Sequence, residues 1–471
     1  MEDKRTLKKV MNPLDVLVTA FGAMIGWGWV VATGDWFSLA GVLGTVAGFI
    51  IGGVMIFFVG LAYSELTTAM PECGGPLIFC QKAFGPIGAY ICNWFLILSY
   101  IGVVCFEACA IPTVLQYIFP GFLKGYLYTI AGFDVYLSWL AVAIISSVVI
   151  TYINIIGVKA AVVFQTVLTL NIAFVGIILM IASAINGDVS NFQGQLFVGN
   201  DAIEIGKGIF SVAVVAPFFL FGFDVIPQVA EEINVPLKKI GKLMLLSIIL
   251  AVAFYAFVVL AIGYVMTSSE VASAVKVNGL VTADAMAKAF SSSIMAKVLV
   301  IGGICGIVTS WNSFLMGGSR ALFAMAERHM LPAFFAKLHS KYKTPINAIL
   351  MIGLISVISV FFGASMLKWV ANAASFACCV AYCMVVMAFL VIREKEPELP
   401  RPYKVKCYRI VGYSAVILSV AMVLLYVIPG TGSTFNVQEQ VIVFVWSLFG
   451  LVFALISKSK YKNKFGCSNN K

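Results

Sequence analysis

The stretch GAMIGWGWV, residues 22–30, sets three glycines, Gly22, Gly26 and Gly28, inside an apolar run that extends from about residue 13 to 35. Glycine costs a helix interior about 1 kcal/mol relative to alanine. Unwound backbone at membrane depth is tolerated only where it lines a cavity or is buried in protein. The spacing therefore predicts a broken membrane helix. A second interruption follows at APFFLFGFD, residues 216–224, where Pro217 removes a helix donor, Gly222 tolerates the bend and Asp224 adds a carboxylate. Five spans separate Gly26 from Gly222. Paired interruptions at corresponding positions of two halves point to an inverted-repeat transporter with its site between them.

The whole chain agrees with a membrane setting. Of 471 residues, 61% are hydrophobic and 11% charged, and the mean hydropathy is +1.02, whereas soluble domains carry about 25% charged residues. A water-soluble fold is excluded. A spanning helix takes about 20 apolar residues, and punctuation by Gly, Pro and charge predicts twelve, near 13–35, 40–63, 86–118, 135–152, 160–185, 208–231, 241–266, 294–326, 346–362, 367–392, 410–429 and 439–457. The expected fold is an all-α membrane protein: spans 1–5 (13–185) and 6–10 (208–392) form two repeats, and spans 11–12 (410–457) follow them. The ends, 1–12 and 458–471, are expected in the cytoplasm. With no small-residue cleavage site after it, the first span is expected to be retained.

The net charge of +10 is a topology signal. With both termini inside, 25 of the 31 Lys and Arg fall in inner segments, leaving Lys124, Lys207, Lys276, Lys288, Lys297 and Lys368 outside. The basic loops then face anionic lipid headgroups of the cytoplasmic membrane, and a nucleic-acid partner is not expected. None of the eleven cysteines lies in an outside loop, so no disulfide framework is indicated. The pairs Cys105/Cys109 and Cys379/Cys383 read as small packing residues, and no metal or other cofactor is expected. The only histidines, His329 and His339, share one inner loop, which argues against an enzyme. A channel would need a filter of repeated loops or charge rings, and two unequal broken helices are not that.

Charge inside the membrane marks function. Glu107 in span 3 and Asp224 in span 6 are the carboxylates nearest mid-span. Three roles are open to Glu107: proton coupling, pairing with a cationic substrate, or a protonated structural contact. Glu65, Glu231 and Glu232 lie at inner helix ends with Arg320, Lys238 and Lys239 as possible partners, and Asp15 is a further member of such a gate.

Five motifs in order resemble the amino acid-polyamine-organocation (APC) superfamily, whose permeases have the LeuT-like five-plus-five fold with two further helices. They are GAMIGWGWV, YSELTTAMPECGGP (63–76), FFLFGFDVIPQVAEEINVP (218–236), SRALFAMAERHMLP (319–332) and REKEPELPRPYKV (393–405). The resemblance implies an ion-coupled symporter or antiporter of amino acids working by alternating access. The substrate carboxylate would lie at Gly26, Trp27 and Gly28, with Gly22 and Glu107 as further substrate-binding residues. The ammonium would lie by carbonyls around Phe219, Phe221 and Gly222, near Asp224. By the same resemblance, Thr309 and Ser310 with the carbonyls of Gly22 and Ile25 form a sodium site, while H⁺ is the other candidate ion. Glu65, Glu231 and Arg320 form a gate.

Two departures stand out. Trp27 replaces the serine of the family's I-G-S-G motif, and Trp29 follows it, so one or both indoles either narrow the pocket or face lipid. Span 5 lacks the mid-span lysine of some proton-coupled members; its nearest polar residues are Thr169 and Asn171. Transport of amines or polyamines such as ethanolamine or putrescine, and a non-transporting nutrient sensor, are the alternatives.

Overall fold

The computed structural model describes residues 7, 9–119, 121–277, 279–429 and 434–467. Lys4, Arg5, Lys8, Lys471 and the side chain of Lys368, all used in the charge count, lie outside the described residues.

Helices dominate because backbone N–H and C=O groups in long apolar runs are satisfied within the segment. The first, α1 (Pro13–Met24), starts with Pro13 at its first turn and a reciprocal cap in which Asn12 and Asp15 satisfy each other's backbone N–H groups. After α2 (Gly28–Val31) comes α3 (Thr33–Ala69), bent at Gly41 with φ 73°. Next, α4 (Gly75–Ile118) is bent at Gly85 with φ 76°, directly before Pro86. Both bends need a left-handed residue and have a glycine there. The chain continues through α5 (Leu137–Ile155), α6 (Val158–Asn186), α7 (Ala202–Phe219), α8 (Val225–Gln228) and α9 (Leu237–Val265). Two short helices, α10 (Ser268–Val277) and α11 (Val281–Phe290), precede α12 (Ser293–Glu327), α13 (Ile346–Ser359), α14 (Ser365–Lys395), α15 (Tyr408–Val427) and α16 (Val437–Tyr461).

Ten helices among the described residues are long and apolar enough to cross a membrane, and two shorter apolar ones, Pro13–Met24 and Ile346–Phe362, accompany them. This is an all-α membrane protein. Within the bundle, α4 is the most deeply buried long helix and packs against α12 and α14, while α3 packs against α7 and α9. The last helix, α16, is largely exposed and lies at the periphery.

Three boundaries differ from the sequence expectation. Spans 1 and 2 are joined by the single bent residue Gly41 rather than by a loop at 36–39, because residues 33–40 are helical on both sides of the expected gap. The segment between spans 3 and 4 holds an antiparallel hairpin, β1 (Tyr126–Ile130) and β2 (Phe133–Tyr136). Its two turn residues, Ala131 (φ 48°) and Gly132 (φ 78°), both have the positive φ that a tight hairpin turn requires. The segment between spans 7 and 8 folds into α10 and α11, which are too polar to register as spans.

Both described chain ends lie at one end of the bundle. Met11 pairs with Ile233, and the backbone N–H of Gly466 donates to the Arg328 carbonyl at 2.8 Å. We call this the termini end.

Candidate substrate site

Two breaks meet in the middle of the bundle. The α1 helix stops at Met24, residues 25–27 are not helical, and α2 restarts at Gly28. What allows this geometry is α12: Gly306 lies against the carbonyls of Ile25 and Gly26, and Gly303 lies against the indole of Trp27, so a side chain at either glycine would overlap the break. Among the described residues, the N–H groups of Gly26, Trp27 and Gly28 have no acceptor. This break presents donors.

The second break has the opposite polarity. Pro217 sits in the last turn of α7, residues 220–224 turn, and α8 resumes at Val225. Gly222 adopts φ 131° and touches the backbone of Ala23 and Met24, which couples the two breaks directly. The carbonyl oxygens of Phe219 and Phe221 accept no hydrogen bond from the described residues. Unsatisfied carbonyls at a helix C-terminus carry partial negative charge.

Between the breaks lies a cavity of about 210 Å³ lined by Gly26, Trp27, Gly28, Glu107, Phe219 and Phe221. Phe314, Tyr255 and Ser310 complete its walls, and the Tyr255 hydroxyl donates to the Met24 carbonyl at 3.0 Å. Among the described residues, Glu107 is the only ionisable carboxyl or basic side chain on this surface. It is 3% exposed, and its Oε2 has no hydrogen-bond partner. Away from the termini end the cavity adjoins a larger vestibule of about 550 Å³ that reaches Asp35 and Glu439. Trp27, Phe106 and Phe218 line both spaces and form the partition.

The site residues expected from sequence therefore divide. Gly26, Trp27, Gly28, Glu107, Phe219 and Phe221 surround one space, as does Ser310. Gly22 is outside it, because its missing side chain admits Thr169 and Gln165 of α6. Gly222 and Asp224 lie behind the cavity wall; Asp224 is fully buried and accepts from Tyr100 (2.7 Å), Tyr382 (2.9 Å) and the Gly222 N–H (3.0 Å). Thr309 Oγ1 is 3.0 Å from the Gly22 carbonyl, so two of the expected ion ligands meet in a direct hydrogen bond. The Ile25 carbonyl faces Gly306 instead. Trp29 faces neither pocket nor lipid: it is fully buried, edge-on to Phe254 at 5.4 Å. In α6, Thr169 donates to the Val18 carbonyl and Asn171 to the Cys305 thiol.

The termini end is closed by charge, with partners that differ from the expected ones. Arg320 pairs with Glu232 at 2.8 Å, both side chains fully or almost fully buried. Glu65 does not reach Arg320. It accepts from Arg393 at 2.8 Å and the Val405 N–H at 2.7 Å, and Arg401 lies 3.0 Å away, because α3 runs on to Ala69 and carries Glu65 beneath the 393–405 segment. Glu231 accepts from the Cys73 N–H at 2.9 Å, and Lys238 and Lys239 form no ion pair with either glutamate. Asp15 is taken up by its capping role and by the Thr166 hydroxyl at 3.2 Å, and so stays outside the gate. Tyr100, Tyr255 and Tyr382 were not legible as site residues. A lone tyrosine in an apolar span carries no pattern, and only the third dimension shows where its hydroxyl points.

The sequence pattern defining the family described as amino acid permease matches residues 11–453. The chain belongs to that family. Similar proteins include the branched-chain amino acid permease BcaP of Bacillus subtilis (strain 168), 25% identical over 97% of this chain and 95% of the relative. The methylthioribose transporter of the same organism is 24% identical over 96% of each chain. The serine/threonine exchanger SteT, also from B. subtilis, is 26% identical over 85% of this chain and 87% of its own length. As a permease, the chain needs no reactive group in the cavity, only complementary charge and a route to each side.

Proposed function

We propose that this permease carries amino acids across the cytoplasmic membrane by alternating access, with both termini inside. The observation that carries the reading is the opposed polarity of the two breaks across one cavity: free N–H groups at Gly26–Gly28 suit a carboxylate, and free carbonyls at Phe219 and Phe221 suit an ammonium. A zwitterion satisfies both at once. Apart from Glu107, Ser310 and the Tyr255 hydroxyl, the described lining is aromatic or aliphatic, which supports a substrate with an apolar or small side chain. Relatives named for branched-chain amino acids and for serine and threonine support this. The architecture proposed with it is twelve spans, with 13–185 and 208–392 as inverted repeats and 410–457 added. It is supported by the ten long and two short apolar helices and by breaks five spans apart.

Amines are the second reading, favoured by Glu107 as the only ionisable carboxyl or basic side chain among the described residues of the cavity. The test is competition for binding to the purified protein among amino acids, amines and polyamines, followed by accumulation in proteoliposomes. Neutral amino acids should bind and accumulate. Binding of amines alone would withdraw the carboxylate assignment at span 1, and binding without accumulation would favour a sensor. A relative is an aspartate-proton symporter, and Glu107 is the group proposed to take the coupling proton here. Na⁺ is the other ion proposed, at Thr309, Ser310 and the carbonyls of Gly22 and Ile25, and unchanged uptake when Na⁺ is replaced by choline would remove it.

A further inference from the structure

Asp224 is buried in the middle of the bundle with no cation beside it, yet it does not line the cavity. A carboxylate placed there at such desolvation cost has a task that hydrophobic packing does not perform. Its bonds show the task. Oδ2 accepts from the Tyr100 hydroxyl of α4 at 2.7 Å, and Oδ1 accepts from the Tyr382 hydroxyl of α14 at 2.9 Å. Oδ1 also accepts from the N–H of Gly222, in its own turn, at 3.0 Å, and the Tyr100 hydroxyl is 3.0 Å from the Asp224 carbonyl as well. One side chain thus ties the unwound 220–224 segment to α4 and to α14, the second of which also meets it through the ring of Tyr382 against Phe221 and Phe223. Tyr382 also supports Phe221, a cavity residue, edge-on at 5.6 Å.

From these bonds we propose that Asp224 is a positioning residue and a latch. It aims the Phe219 and Phe221 carbonyls at the substrate and holds span 6 against α4 and α14 while the termini end is closed. The inference deepens the transport reading and rests on it. When the site opens toward the termini end, α8 and the Glu232–Arg320 pair beyond it must move away from α4 and α14. The bonds from Tyr100 and Tyr382 to Asp224 are the ones this motion breaks. Side-chain hydrogen bonds suit a latch because they can be broken and remade, and none of the three depends on bound substrate.

The protein contains its own reporter. Cys73 is buried at the termini end, its thiol 3.9 Å from the Arg320 carbonyl and its N–H bonded to Glu231. In the full chain with the exposed Cys407 and Cys467 changed to serine, alkylation of Cys73 by a maleimide, mapped by peptide mass spectrometry, reads opening of that end without any substrate. Asp224→Asn keeps the shape and removes the charge. Its Cys73 alkylation should rise at least 5-fold, and the KM for uptake from the vestibule side should rise more than kcat falls. Tyr382→Phe and Tyr100→Phe should each give part of the effect and add little in the Asp224→Asn background, because they act through the same carboxylate.

A Cys73 rate in Asp224→Asn equal to the parent's, with the melting temperature kept, overturns the latch. Additive effects of Tyr382→Phe and Asp224→Asn overturn it too. If Asp224→Asn does not fold, the two tyrosine variants, which keep every ring, carry the test alone. Should the parent bind no amino acid, the transport reading fails while the Cys73 measurement still stands.

Discussion

The two helix breaks share a cavity but are held open by different means. In span 1 the break is made by absence: Gly26 and Gly28 leave the backbone bare, and Gly303 and Gly306 of α12 make room for it. Among the described residues, 25–28 make no side-chain hydrogen bond, and the tethers sit before the break, at the Met24 and Gly22 carbonyls. In span 6 the break is made by presence, since Asp224 ties the turn to the hydroxyls of Tyr100 and Tyr382 and accepts from the Gly222 N–H within the turn itself. A break defined by steric fit has one position and resists displacement. A break defined by hydrogen bonds can be released and remade. On this contrast, the side proposed for the carboxylate is the fixed reference of the site and the side proposed for the ammonium is its moving part.

The comparison breaks most sharply at Gly306. An added methyl there would overlap the Gly26 carbonyl, which is backbone and cannot rotate away as a side chain would. Overpacking of this kind costs about 1–3 kcal/mol, and all of it falls on the N–H groups assigned to the carboxylate. Gly306→Ala should therefore raise the KM for amino acids by roughly 10- to 100-fold, measured as uptake into proteoliposomes at matched protein content. Gly28→Ala meets only the ring of Phe219, which can tilt, and should cost less. If the order were reversed, the fixed-reference picture of span 1 would be wrong.

Much of this contrast was legible in the sequence, and the missing parts have a common cause. Glycine and proline act through the backbone, so GAMIGWGWV and APFFLFGFD announce the breaks at the right residues. Glu107 could be singled out because charge in an apolar run is costly. What could not be read is partnership. Asp224 looked like a ligand until Tyr100 and Tyr382 were seen to occupy it, Glu65 took Arg393 and Arg401 rather than Arg320, and Trp29 turned inward onto Phe254. The hairpin at 126–136 was missed because its strands are only five and four residues long, too short for the alternation of half-buried Tyr128, Ile130 and Phe133 and buried Val135 to stand out.

Glu107 sharpens the comparison from the cavity side. It stands across from Gly26, where a methyl added to that glycine would lie 3.1 Å from its Oε1, and its Oε2 is free. A free carboxylate oxygen beside the donor break, not beside the carbonyl break, is poorly placed for the ammonium and well placed to take up a proton as the substrate carboxylate arrives. Glu107→Gln should then keep amino acid binding within about 3-fold, roughly 0.6 kcal/mol, while uptake loses its dependence on external pH between 5 and 8. Retained pH dependence would remove Glu107 from coupling. A complete loss of binding would make it a substrate ligand and revive the amine reading.

The smallest effect is expected at Thr309, where the fixed break meets its last support. Its hydroxyl reaches the Gly22 carbonyl at 3.0 Å and also lies 3.0 Å from the Gly306 carbonyl of its own helix, so it fastens the end of α1 to α12 just below the break. Thr309→Val keeps the volume and removes the bond, at a cost of about 1 kcal/mol, which should appear as a lower melting temperature and a KM raised a few-fold. Thr309→Ser should restore both, since it returns the hydroxyl. A sodium ligand behaves differently. In that case the valine variant would change the Na⁺ concentration needed for half-maximal uptake, with little change in melting temperature when Na⁺ is absent. The two outcomes separate a support for the span 1 break from an ion site at the same oxygen atoms.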